Sequence, residues 1–256
     1  VIVELERSGA VAKVILNRPE RMNALVVEMR ERIAALFNEL ATDDSIRAVI
    51  LTAAGPHFCA SGDVTKMGNF TPASAMKHLK IAHRMVLAVA NIEKPVVAAV
   101  RGTAAGMGWS LALACDAVVA SDTAKFIQVF KNVGVVPDGG AVYFLTQTLG
   151  VLRAKELVFS ARPVLAEEAF DLGLLTKVVP DSALEVEAEA MAAKLASGPS
   201  FAFGNTKKMF KAMNQPSLET FLDSEAWAQG LTLMSDDHKE GAAAFLEKRK
   251  TSFRGQ

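Results

Sequence analysis

Four short runs, Val11–Leu16, Arg47–Thr52, Pro95–Val100 and Ala117–Ala120, constrain the fold of this chain more than any other feature. Each is rich in Val, Ile, Leu or Ala, and the first ends in Asn17-Arg18-Pro19, so they read as strands. The first alternates like a half-buried strand, whereas the others read as buried on both faces. From Asn23 onward, Met29, Ile33, Leu36, Phe37 and Leu40 fall on one helical face with charges opposite. A glycine-bearing loop at 55–72 and a helix at about 73–91 separate the second strand from the third. Strands alternating with helices imply parallel strands joined by right-handed crossovers.

The strand signal fades after about residue 165. Glu185–Ala196, Phe201–Met213, Ser217–Met234 and His238–Lys248 read as amphipathic helices, punctuated by Pro199 and Pro216. The expected organisation is an α/β core over 1–195 and a C-terminal helical lobe over 196–256. Apolar residues make up 51% of the chain, enough for a sizeable core. Basic and acidic residues balance at 28 each, which gives no net field for nucleic acid or an anionic membrane. No apolar run is unbroken enough to span a bilayer, and the first residues lack the apolar segment of a signal peptide. Cys59 and Cys115 have neither metal-ligand spacing nor a disulfide pattern, and the four histidines are scattered, so no metal is expected. The chain reads as a soluble cytoplasmic protein.

The chemistry concentrates in two segments. In Gly106–Asp116 a glycine-flanked turn opens a short apolar helix, gathering main-chain N–H groups where no side chain blocks a ligand. In Val136-Pro137-Asp138-Gly139-Gly140 a single acid sits among apolar and glycine residues. Oxyanion donors and one carboxylate suffice to move a proton next to a carbonyl. Asp138 between a proline and two glycines also fits a turn-forming aspartate. Burial beside Phe130, Val135 and Val136 is expected to raise its pKa.

These segments resemble the enoyl-CoA hydratase/isomerase (crotonase) superfamily. Asn17–Leu25 looks like its first motif. Phe58-Cys59-Ala60-Ser61-Gly62-Asp63 and Gly102–Gly108 look like the two halves of its oxyanion hole, and Glu240–Arg249 like its ending. The resemblance implies a spiral of repeated strand–strand–helix units with a C-terminal helical lobe. It implies acyl-CoA thioesters as substrates, with CoA part of the substrate rather than a cofactor, and a homotrimer or homohexamer.

Hydratases of this family use two glutamates, and at those positions this chain has Ser110 and Phe130. The pattern around Asp138 resembles instead the isomerase branch, closest to the ring-opening isomerase of phenylacetyl-CoA breakdown. The resemblance makes Asp138 the catalytic acid and the Gly62 and Met107 amides the oxyanion donors. An isomerase shifting a double bond through a thioester enolate is the resulting expectation. His83, by itself a partly buried, hydrogen-bonded helix residue, matches a functional histidine of a related CoA dehalogenase. Hydrolysis or dehalogenation with Asp138 as nucleophile and His83 as base is therefore the alternative. A weak hydratase and a non-catalytic CoA-binding protein are the others. For CoA, the resemblance implies Arg21, Met22, Ala24, Ala60 and Gly62, with Phe245 and Lys248 reaching the nucleotide from a neighbouring subunit. Ser110 reads as a helix-capping residue and Cys59 as a small core residue. The acyl-pocket walls are expected from residues 64–86 and the start of the helical lobe.

Overall fold

Val3–Ser8 (β1) turns back through Gly9 and Ala10 to pair antiparallel with Val11–Leu16 (β2). Gly9 takes φ +56°, the positive value that tight hairpin turns require and that glycine adopts freely. The computed structural model describes residues 1–63, 65, 71–212, 230–231, 233 and 235–256, the side chains of Pro72, Phe245 and Leu246 excepted. After β2 come Val27–Thr42 (α1), Ala48–Ala53 (β3), Pro72–Asn91 (α2), Val96–Val100 (β4), Thr103–Ala105 (β5) and Met107–Leu113 (α3). There follow Ala117–Ser121 (β6), Lys125–Ile127 (β7), Ala141–Ser160 (α4), Val164–Leu165 (β8), Ala166–Asp171 (α5) and Lys177–Val179 (β9). Leu184–Ala196 (α6), Ser200–Ala212 (α7) and Asp236–Glu247 (α8) complete the described elements.

The main sheet has the order β1-β2-β3-β4-β6-β9, parallel throughout except for β1. A smaller sheet has the order β5-β7-β8. The pairs β4–β5 and β6–β7 each give one strand to either sheet and are followed by α3 and α4. This is the expected winding of strand–strand–helix units.

Alternation within β3 and β4 explains their nearly unbroken apolar sequences. Val49, Leu51, Val96, Ala98 and Val100 join the core shared with α1, α2 and α3. Ala48, Ile50, Val97 and Ala99 face the other way, against Leu184, Ala188, Ala192 and Ala196 of α6. Alanines four residues apart on α6 let the helix lie close to the sheet. The whole expected stripe of α1 is buried.

Two expectations change, and a third falls outside the described residues. The helix expected from Asn23 starts at Val27, because Met22 and Asn23 are left-handed (φ +50° and +54°). Asn23 is fully buried instead, donating to the carbonyls of Ala54 and His57 and accepting from the Arg18 amide. Strand structure also persists beyond residue 165, since β9 closes the edge of the main sheet. The helix expected over Ser217–Met234 lies, apart from 230–231 and 233, outside the described residues.

The C-terminal segments are tied to the core through Arg47. Its guanidinium donates to Ser200 Oγ (3.0 Å), the Phe253 carbonyl (2.9 Å) and the Gly198 carbonyl (2.6 Å). Asp237 accepts the amides of Arg254 and Gly255. Apolar side chains remain on the surface of the single chain, among them Leu152 and Phe159 on α4 and Phe201 and Phe210 on α7. Among the described residues, no helix is long and apolar enough to cross a membrane, and no group of three potential ligands could hold a metal.

Candidate active site

Leu25 organises one side of the site. Its amide donates to the Ser61 carbonyl (2.8 Å), and its carbonyl accepts the Asp63 amide (3.2 Å). This parallel bridge directs the intervening Gly62 amide away from Leu25, and it finds no acceptor among the described residues. The preceding segment is fixed by Ala60 N–H on the Met22 carbonyl and by Cys59 between Thr103 and Ala105. Arg18 holds the same strand electrostatically, donating to Asp63 Oδ2 (2.7 Å) and to the Ala24 carbonyl (3.0 Å). Hydrogen bonds from Thr65 and Arg18 hold the Asp63 carboxyl down to about 2.

The second side is the start of α3. Gly106 precedes the helix at φ +48°, and the Met107 amide donates to Ser61 Oγ at 3.1 Å. Gly62 and Met107, the two expected donors, thus meet through the residue between Ala60 and Gly62. Gly108 allows close packing, since a Cβ there would lie 2.5 Å from the Cys59 carbonyl oxygen.

Asp138 approaches α3 from the opposite side. Gly139 and Gly140 both have positive φ (+62° and +82°), and a Cβ on Gly139 would lie 2.9 Å from Ser110 Cβ and 3.4 Å from Met107 Cγ. Ser110 is fully buried, and its hydroxyl contacts the carbonyls of Asp138 (3.0 Å) and Gly106 (3.2 Å). It is therefore not the helix cap expected; Gly106 occupies that position, and Ser110 pins the Asp138 loop. Asp138 Oδ1 is buried without a hydrogen-bond partner. Burial raises its pKa to about 6, against the opposing charges of Arg30 and His83. Of the expected apolar neighbours Phe130 is buried, but Val135 and Val136 are exposed. The desolvation comes from the packing of the loop on α3.

The sequence reading missed Arg30, which is buried on α1. It lies 2.8 Å from His78 Nε2 through Nη1 and donates to the Leu25 carbonyl (3.3 Å) through Nη2, while Nε has no partner. Position 30 falls on the stripe of Ile33, Phe37 and Leu40, which was the available signal. Gln128 is a second missed residue, buried with both amide atoms unpartnered. His83 is exposed on α2 rather than partly buried and hydrogen-bonded, because the buried face of that helix is formed by Ala82, Met85, Val86 and Val89. Cys59 is a core residue as expected, and burial pushes its thiol up to about 12.

A largely apolar cavity of about 1000 Å³ opens beside Gly139 and Gly140. His83, Leu87, Leu113, Phe144, Phe203 and Phe210 are among its walls. From α2 it is lined by residues between His83 and Asn91, and from α7 by Phe203 and Phe210 among others. Arg21 and Met22 are exposed, and Ala24 and Ala60 are half-buried. Lys248 is exposed after α8, and no hydrogen bond or ion pair among the described residues joins it to that group. The side chain of Phe245 lies outside the described residues.

The sequence model of the enoyl-CoA hydratase/isomerase family matches residues 6–256. The chain is 37% identical over 246 residues to a 1,2-epoxyphenylacetyl-CoA isomerase of Escherichia coli, covering 94% of each sequence. It is 38% identical over 255 residues to a probable enoyl-CoA hydratase of Rhodobacter capsulatus, covering 99% of this chain and 98% of the relative. The crystal structure of a putative enoyl-CoA hydratase from Streptomyces coelicolor superposes with a TM-score of 0.96 at 32% identity, over 100% of this chain and 95% of that one.

Proposed function

Because the chain belongs to the enoyl-CoA hydratase/isomerase family, we propose that it is an acyl-CoA isomerase that uses Asp138 as its single proton carrier. The carrying observation is the unpartnered, buried Oδ1 of Asp138 on a loop pinned to the same helix turn that supplies the Met107 amide. A base with its acceptor atom unused and its pKa raised to about 6 is matched to proton transfer near neutral pH. Ser110 and Phe130 offer no carboxylate to activate water, which disfavours the two-glutamate route to hydration. A thioester oxygen held at Gly62 and Met107 accepts the charge of the enolate as Asp138 removes a proton. The same carboxyl then returns it two carbons away. Oxyanion donors are worth roughly 3–4 kcal/mol each, so the amides carry much of the rate. In this reading Arg21, Met22, Ala24 and Ala60 receive the CoA moiety.

The test is Asp138→Asn assayed on 3-enoyl- and arylacetyl-CoA thioesters, with deuterium exchange at the α-carbon. Isomerisation falls by several orders of magnitude with CoA affinity retained; a rate within tenfold of the parent moves the base elsewhere.

The position of His83 favours one second reading. It lines the same cavity as Gly139 and lies within electrostatic reach of Asp138. That arrangement suits water activation after attack by Asp138 on an acyl- or aryl-CoA. A covalent adduct trapped on Asp138 is the outcome that favours hydrolysis or dehalogenation over isomerisation.

A further inference from the structure

Ser61 has a backbone conformation that a residue with a Cβ adopts only at a cost, φ +84°. Its side chain rests on the bare α-carbon of Gly106, where a Cβ would lie 2.4 Å from Ser61 Oγ and 2.9 Å from Ser61 Cβ. There its oxygen accepts the Met107 amide at 3.1 Å. Among the described residues nothing accepts the proton of that hydroxyl. One lone pair is therefore engaged by a fixed main-chain donor, and the O–H remains free beside both amides assigned above to the thioester oxygen.

We propose that Ser61 is itself an oxyanion donor: its hydroxyl, seated on the Met107 amide, donates to the thioester oxygen in place of that amide. The inference rests on the reading of the site beside Gly62 and Met107 as the oxyanion site and refines it: the Met107 amide, already bonded to Ser61 Oγ, acts through that hydroxyl. An N–H bonded to an O–H polarises it, so the hydroxyl is a stronger donor here than in isolation. Bonds of this kind to a developing oxyanion are short and charge-assisted. Two unusual conformations, positive φ at Ser61 and at Gly106, make the contact possible. Glycine at position 61 would adopt the same backbone without strain and leave the Met107 amide open.

Ser61→Gly and Ser61→Ala test the assignment. Ser61→Gly removes backbone strain, so a loss of rate in that variant is not a loss of fold. Ser61→Ala is expected to lower kcat by about 10²-fold with KM little changed, and Ser61→Gly to lower it less, because the Met107 amide it uncovers replaces part of the lost donor. Infrared difference spectra of bound butanoyl-CoA, labelled with 13C at its carbonyl, give a readout independent of turnover. In Ser61→Gly the carbonyl stretch is expected to rise towards its value in water. A kcat in Ser61→Gly equal to or above that of the parent, or an unmoved stretch, overturns the proposal and makes Ser61 a plug that swings aside. A parent spectrum identical to that in water removes the oxyanion site altogether, whereas retained turnover in Asp138→Asn would remove only the base.

Discussion

The Ser110 hydroxyl lies 3.0 Å from the Asp138 carbonyl oxygen and 3.2 Å from that of Gly106, joining the proposed base to the turn that carries the Met107 amide. Ser110→Ala deletes this tie while leaving every acid and amide in place. A loss of about 1 kcal/mol is expected, lowering Tm by about 2–4 °C, together with a reduced kcat from a looser Asp138. Calorimetry and steady-state kinetics check it. Unchanged Tm and kcat would show that loop packing alone sets the geometry.

Asp138 should also lower stability at neutral pH. Its folded pKa, about 6, lies above the ordinary carboxyl value of 3.8, so the folded chain holds this proton where the unfolded chain has released it. The contribution to stability is present below the unfolded value and lost as pH rises through about 6. Asp138→Asn should therefore raise Tm at pH 7.5 more than at pH 4.5. Thermal melts at the two values decide it; an equal shift at both removes the linkage.

Arg30 opposes that rise, since its positive charge favours the Asp138 carboxylate. The other groups acting on this cluster are His83 on Asp138, and His78 and Cys59 on Arg30. Replacing Arg30 by Gln should move the acid limb of kcat/KM to higher pH by about one unit. Arg30→Lys should hold it near its original position. A uniform loss of rate with the limb unmoved would leave Arg30 only its structural bond to Leu25.

Glutamates at positions 110 and 130 test why hydration is disfavoured. Ser110→Glu with Phe130→Glu should add water to 2-enoyl-CoA above background. Position 110 is crowded by Gly139, and both sites are buried, so a stability loss of about 2–5 kcal/mol is expected as well. A stable double variant that binds enoyl-CoA without hydrating it would show that more than two carboxylates is missing.

Assembly is testable by light scattering. Leu152, Phe159, Phe201 and Phe210 are exposed in the single chain, and a homotrimer or a pair of trimers is expected to cover them. A monomer at micromolar concentration contradicts this. Lys248→Ala should weaken CoA binding and its salt dependence if a neighbour's Lys248 reaches the phosphates.

Legibility in the sequence followed the reach of each interaction. The strands β3 and β4 were readable because burial on both faces leaves nearly unbroken apolar runs. By contrast, β9 has only Lys177, Val178 and Val179 and is defined by pairing with β6. The Gly62, Met107 and Asp138 positions stood out through glycines and local motifs. Arg30 did not, since what keeps a guanidinium buried there is His78 on another helix and the Leu25 carbonyl in the turn before its own helix. Ser61 was hidden for a related reason: its importance lies in a left-handed backbone and a contact 46 residues away, neither of which leaves a periodic trace.

The grip of Arg47 on the far end of the chain has a consequence for the order of folding. Its acceptors lie 151, 153 and 206 residues downstream, at Gly198, Ser200 and Phe253. On a ribosome, the sheet strand that begins at Ala48 can pair with β2 and β4 long before Phe253 exists. The guanidinium must stay hydrated at the start of β3 until residues 198 to 253 have emerged. Closing this long loop is entropically late, so the tail registers completion of the core rather than helping to start it.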